Sequence, residues 1–143
     1  MNKNKPKLAI VGAGKMGEAM ITGFLKSGKY EPRDIQVFEI IESRSKYISQ
    51  KYKVKCVNAA KEAASFADLT IIAVKPSHVK KALEQVAQAM KPGKIIVSIA
   101  AGVTLEFLRK YLPKGVPVIR VMPNITCQVR EAMIAVCPSE NTK

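Results

Sequence analysis

The chain has no tryptophan, a single histidine (His78) and only three cysteines, Cys56, Cys127 and Cys137, among 143 residues. No two cysteines form a C-x-x-C pair, and their odd number argues against a framework of structural disulfides. One histidine and scattered cysteines give no metal-ligand spacing, so no metal site is expected. The aromatics, four Tyr and four Phe, show no clustered stacking surface of the RNA-recognition kind. Long hydrophobic runs are missing as well. Leu69–Val74 and Ile95–Ile99 fall far short of the ~20 apolar residues that span a bilayer, and the polar start Met1–Lys7 carries no signal segment. These absences predict a soluble protein of the reducing cytoplasm with no membrane partner.

Positive charge is plentiful. Lys and Arg number 24 against 11 Asp and Glu, a net charge of +13. Such an excess can mark a nucleic-acid binder. Here the lysines are spread along the whole chain, which reads as a solvated surface that attracts anionic cofactors, and no nucleic-acid partner is expected. A nucleic-acid binder would instead show a steeply salt-dependent shift with DNA or RNA.

Apolar strand-like runs alternate with helical stretches from end to end. Lys7–Val11 is a short apolar run bounded by Gly12, as a buried parallel strand should be. Lys15–Ser27 follows with Met16, Ala19, Met20 and Phe24 at helical spacing, stopping before Gly28. The order continues as strand 34–39, helix 42–52, strand 54–57, helix 59–66 and strand 68–74. Helix 77–90 has Ser77 as its N-cap. Strand 94–99, a helix from Thr104 to Leu112, strand 118–122 and a last short strand 133–136 complete it. Strands alternating with helices of this length require right-handed crossovers and a mainly parallel sheet. The prediction is one α/β domain over residues 1–143, Rossmann-type and doubly wound, with helices on both faces.

Gly12-Ala13-Gly14-Lys15-Met16-Gly17 is a G-x-G-x-x-G. Alone the pattern is weak; directly after a buried strand and opening a helix, it points to a dinucleotide. Gly12 permits the tight turn, Gly14 lets a pyrophosphate approach the backbone, and Gly17 lets the helix pack on the first strand. The N–H groups at the helix start then face the diphosphate. A Walker A loop is excluded, because its four-residue spacing and Gly-Lys-Ser/Thr ending are lacking. At the end of the second strand Glu39 stands where an acidic side chain accepts the ribose hydroxyls, which favours NAD. Ser43, Arg44 and Lys46 follow and could cradle a 2′-phosphate, although a solvated basic helix is the plainer reading of Arg44 and Lys46. The two signals conflict.

The sequence resembles the N-terminal cofactor domain of pyrroline-5-carboxylate reductases. The matching segments are Ile10–Met20, then Ala73-Val74-Lys75-Pro76, then Ser98–Val103, and Val118–Asn124. The resemblance implies an NAD(P)H-dependent oxidoreductase of proline biosynthesis acting on a small cyclic imine. It also tips the cofactor balance, with the positive charge, toward NADP, with NAD as the other choice. It places Ala73–Pro76 over the adenosine ribose and pyrophosphate. At the end of the fifth strand the small Ala100, Ala101 and Gly102 leave space for the nicotinamide, and the Asn124 amide could orient the nicotinamide or the substrate. No catalytic role falls on His78, which reads as a surface or supporting residue.

The family enzyme has a second, all-helical domain that dimerises, completes the substrate pocket and carries a hydroxyl residue for proton transfer. That domain would follow Lys143, so the catalytic residues are expected outside this chain, and the lone domain is expected to be poorly active. A homo-oligomer is expected of the whole enzyme. One stretch departs from the family pattern of Asn-Thr-Pro followed by Val-Gly-Glu-Gly. Here it reads Asn124-Ile125-Thr126 and Val129-Arg130-Glu131-Ala132, which replaces two flexible glycines and puts substrate choice in question. A reductase of another imine or of a deazaflavin cofactor, and a non-catalytic dinucleotide module, are the alternative readings.

Overall fold

The computed structural model describes residues 5–122 and the backbone of 135–138. Twelve elements run in order: β1 (Leu8–Val11), α1 (Lys15–Lys26), β2 (Ile35–Phe38), α2 (Glu42–Tyr52), β3 (Lys55–Val57) and α3 (Ala60–Phe66), then β4 (Leu69–Ile72), α4 (Val79–Ala87), β5 (Ile95–Ser98), α5 (Leu105–Lys110), β6 (Val118–Met122) and β7 (Ala135–Pro138). The strands form one sheet in the order β3-β2-β1-β4-β5-β6-β7. All neighbours are parallel except β6 and β7. This is the predicted doubly wound sheet, with one antiparallel edge strand lying two residues later than the expected 133–136.

Strand periodicity divides the core between the two faces. Leu8 and Ile10 of β1 pack with Ile35, Val37, Ile71, Ile21 of α1 and Ile48 of α2. Val11 points the other way, into a cluster with Ile72, Ile96, Val118, Leu83 and Val86 of α4 and Leu108 of α5. Both clusters hold fully buried β-branched and leucine side chains, each stabilising the fold by roughly 1.5–3 kcal/mol relative to exposure.

Several element ends differ from expectation for local reasons. Asp34 does not join β2; it closes a capping box with Glu31 and pairs with Lys5 at 2.5 Å and Lys7 at 2.6 Å. Ser77 is not an N-cap, because Pro76–His78 forms a 3-10 turn and α4 begins only at Val79, with no side-chain cap. Thr104 does cap α5: its hydroxyl accepts from the Phe107 N–H at 3.1 Å.

β1 is the switch point. It pairs with β2 on one side and β4 on the other, and the crossovers leave in opposite directions. The carboxyl ends of β1, β2 and β4 therefore border a crevice, the place where open α/β sheets take ligands.

Candidate functional site

Backbone approach shapes the turn after β1. Gly12 has φ +100°, and a Cβ there would stand 2.8 Å from the Ala73 carbonyl and 2.9 Å from Val74 Cγ1. No other residue adopts this conformation at so close a contact without strain. The Gly12 N–H donates to Phe38 O at 2.8 Å, joining the ends of β1 and β2. A Cβ on Gly17 would come within 2.1 Å of Gly12 O, so α1 lies directly on the turn. At Gly14, the N-cap of α1, a Cβ would meet nothing within 4 Å. No side chain caps this helix start. The first amides of α1 thus face open space, backed by the positive end of the helix dipole.

Polar side chains hold the turn in place. Glu39 accepts from the Ala13 N–H at 2.7 Å with one oxygen and from the Ile41 N–H at 3.0 Å with the other. Arg44 reaches across from α2 and donates to Ala13 O at 2.7 Å and Gly14 O at 3.4 Å. Its guanidinium also forms a tight ion pair with Glu18. Glu18 is a hub: Tyr52 (2.6 Å), Tyr47 (3.0 Å) and Lys51 (3.2 Å) all donate to one of its oxygens. Burial alone would raise the Glu18 pKa, but the hydrogen bonds from Tyr52, Arg44, Tyr47 and Lys51 outweigh it and hold the carboxyl at about 2. Hydrogen bonds to Tyr47, Glu18 and Tyr52 push Lys51 up. Burial, followed by the Glu18 contact, raises Tyr52.

A cleft of about 340 Å³ opens in front of the turn. The expected site residues Gly12, Gly14, Glu39, Ala73, Val74 and Lys75 all line it. Ala13 and Gly17 are buried behind it, while Lys15 is exposed and Met16 half-buried at the helix start. Pro76 opens the 3-10 turn beside the cleft without lining it. Arg44 serves the turn's carbonyls. Lys46 pairs with Glu42 at 2.8 Å on the outer surface of α2. Ala100 is buried in the core with Val103 and Leu108, whereas Ala101 and Gly102 are exposed at the same sheet edge outside the cleft lining. Asn124 lies outside the described residues.

Sequence reasoning missed one wall and one lip. His78, Lys81 and Gln85, one helical turn apart, line the cleft from the α4 side. Ile40 and Ile41 line it directly after Glu39, at 72% and 59% exposure. An apolar pair between a strand end and a helix start, with no element to bury it, was the signal. A larger open depression of about 550 Å³, lined by Glu31, Arg33, Gln36 and Lys53 among others, lies by the start of β2, away from the switch-point edge. Among the described residues, no three His, Cys, Asp or Glu side chains group to hold a metal, and no helix is long and apolar enough to cross a membrane.

A family model described as NADP oxidoreductase coenzyme F420-dependent matches residues 7–102, most of the sheet and all of this cleft. The chain belongs to that family. Among its relatives, the pyrroline-5-carboxylate reductase of Mycobacterium leprae is 34% identical over 134 residues, covering 90% of this chain and 45% of the reductase. The Escherichia coli reductase is 32% identical over 133 residues, 93% of this chain and 49% of its own. A solved pyrroline-5-carboxylate reductase from Coxiella burnetii superposes with a TM-score of 0.92 at 26% identity, over 98% of this chain and 52% of that one. The resemblance read from the four sequence segments therefore holds. The chain spans about half the length of the curated relatives it matches. It is a Rossmann-type domain of an NAD(P)-dependent oxidoreductase family, with NADP the dinucleotide in the family's description.

Proposed function

We propose that this chain is the dinucleotide-binding half of an enzyme that reduces the cyclic imine 1-pyrroline-5-carboxylate to L-proline with NAD(P)H. The observation that carries this reading is the uncapped start of α1 facing a cleft at the sheet's switch point, in a chain whose relatives are reductases of that imine. The open space at Gly14 fits a diphosphate, since neither a side chain nor a cap fills it.

When bound, the reduced nicotinamide supplies the hydride and its electron pair. The chain's own part is orientation. In this reading the amides of Lys15 and Met16 hold the diphosphate, and Ala73–Lys75 form the wall beside the adenosine. Ala101 and Gly102 leave room for the nicotinamide ring, and Asn124 orients that ring or the substrate. A protonated imine accepts hydride readily, so the domain need supply no strong base. Pre-organised geometry of this kind is worth several kcal/mol. The catalytic proton donor, the completed substrate pocket and assembly into a homo-oligomer belong to a helical half of the protein, and residues 1–143 act as one cofactor domain.

The test is steady-state oxidation of NADPH or NADH by pyrroline-5-carboxylate in the whole protein that carries this domain. Saturable dinucleotide binding without turnover would leave a non-catalytic dinucleotide module instead. The family's description also names coenzyme F420, which makes an F420-linked NADP oxidoreductase the second reading. Turnover with that coenzyme and none with the imine would establish it.

A further inference from the structure

The lip of the cleft is poorly built for a 2′-phosphate. Such a group needs cations or free N–H donors at the end of β2. What stands first there is a carboxylate, Glu39, followed by the exposed apolar pair Ile40 and Ile41, ahead of Ser43 and the uncapped first amides of α2. Of the cations in the first turns of α2, Arg44 spends its guanidinium on Ala13 O, Gly14 O and Glu18. Lys46 is paired with Glu42. The cations that do line the cleft, Lys75 and Lys81, stand on the opposite wall.

Glu39, in contrast, suits an unphosphorylated ribose. Its two oxygens each accept one backbone N–H, which fixes the carboxylate at the lip and leaves lone pairs over. Two neighbouring hydroxyl donors satisfy those lone pairs. A phosphate in the same place offers only acceptors and like charge. Ile40 and Ile41, exposed and lining the cleft, add apolar surface beside it for an adenine ring.

We propose that Glu39, with Ile40 and Ile41, makes this domain prefer NAD(H) over NADP(H), against the NADP of its family's description. The proposal rests on the dinucleotide reading above and can fail separately from it. The experiment is direct titration of the folded protein with NADH and with NADPH, followed by nicotinamide fluorescence and by calorimetry at low salt. NADH is expected to bind more tightly by about tenfold or more, the size of effect a close like-charge contact gives. Equal or tighter NADPH binding overturns the preference while leaving the dinucleotide site standing. Binding of neither overturns both.

Glu39→Gln should bring the two affinities together, mainly by tightening NADPH. Because Glu39 also secures the turn, a second variant avoids those bonds. Ile40→Arg should shift the ratio of the two affinities toward NADPH by about tenfold, since the adenine contact it removes is common to both dinucleotides. No relative gain for NADPH in either variant overturns the assignment. Arg44→Gln should weaken both dinucleotides alike, as loss of a positioning residue would. A loss confined to NADPH in Arg44→Gln, Lys75→Ala or Lys81→Ala would locate a 2′-phosphate site and overturn the proposal.

Discussion

Two glycines in α1 set helix propensity against packing. Replacing a mid-helix Gly with Ala normally stabilises a helix by roughly 0.8–1 kcal/mol, because the alanine loses less backbone entropy on folding. At Gly17 the new Cβ would stand 2.1 Å from Gly12 O and 3.0 Å from Gly12 C, where ordinary contact begins at 3.4 Å. More than an ångström of movement is needed. The turn cannot give way, since Gly12 sits at φ +100° against Ala73 and its N–H is bonded to Phe38 O. The helix must therefore lift from β1 and loosen the contacts of Ile21 with Ile10 and its neighbours. Overpacking of this kind costs about 2–4 kcal/mol. Packing wins, and Gly17→Ala should be destabilised by a net ~1–3 kcal/mol, with Tm lower by roughly 4–10 °C. Gly23, in the same helix with nothing within 4 Å of its Cβ, is the internal control. Gly23→Ala should gain up to about 1 kcal/mol. Urea unfolding of both variants, with m-values to confirm unchanged two-state behaviour, measures the contrast. Equal, positive shifts would show that α1 does not rest on the turn.

Gly14→Val should leave stability nearly unchanged, because its backbone (φ −71°, ψ −161°) is extended and the Cβ has open space. Dinucleotide affinity should fall by about tenfold or more as the side chain fills the pyrophosphate position. Retained affinity in a fluorescence titration would mean the cleft binds elsewhere. The fold should also lose stability in acid. Glu18 is held at about 2 against an ordinary 4.5, and Lys5 and Lys7 hold Asp34 well below the usual range. Depressed carboxylates contribute stability that is complete above the unfolded pKa and is lost as pH falls through the folded one. The Glu18 gap corresponds to roughly 3 kcal/mol, which solvent around the half-exposed Lys51 reduces to about 1–2. Denaturation midpoints measured between pH 5 and pH 2 should therefore drop less steeply in Glu18→Gln than in the parent. Finally, Lys94 donates to Ala64 O, Ser65 O and Ala67 O at 2.8, 2.9 and 2.5 Å, closing the end of α3. Lys94→Met should cost about 1–3 kcal/mol, and a neutral result by urea unfolding would show those carbonyls to be equally well served by water.

Much of the fold could be read from local pattern. Short apolar runs bounded by Gly or Pro gave β1, β4 and β5, and Thr104 announced the start of α5. Ends were less legible where two local rules compete. Ser77 has the chemistry of an N-cap, but Pro76 suits the first position of a helical turn and begins a 3-10 turn there, so the α-helix starts later. Arg44 shows a different limit. Its spacing from Glu39 suggested a ligand contact, while its real partners lie 30 and 31 residues away on the glycine turn. Nothing in a local window distinguishes an arginine that waits for a phosphate from one already occupied by carbonyls. The same blindness hid Glu18. On sequence, α2 reads as a solvated basic helix, and in the fold Ile48 is its buried residue. In the folded chain Arg44, Tyr47, Lys51 and Tyr52 converge from that helix on a single carboxylate of α1.

That convergence explains why so mobile a residue type as glycine can make a binding turn. Gly12 N is taken by Phe38 O and Ala13 N by Glu39, while Ala13 O and Gly14 O both receive Arg44. These polar groups of the turn are satisfied within the protein, whereas no side chain caps the start of α1. A ligand meeting those amides need not order the loop first, so the entropy of arranging the turn is met at folding and not at binding. The Glu18 hub therefore bears on affinity as well as stability: by anchoring Arg44 it holds the Ala13 and Gly14 carbonyls of the turn. On this reasoning the loss of dinucleotide affinity in Glu18→Gln should follow the loss in Arg44→Gln, and the double variant should bind little more weakly than either alone. Additive losses would place the two side chains in separate roles.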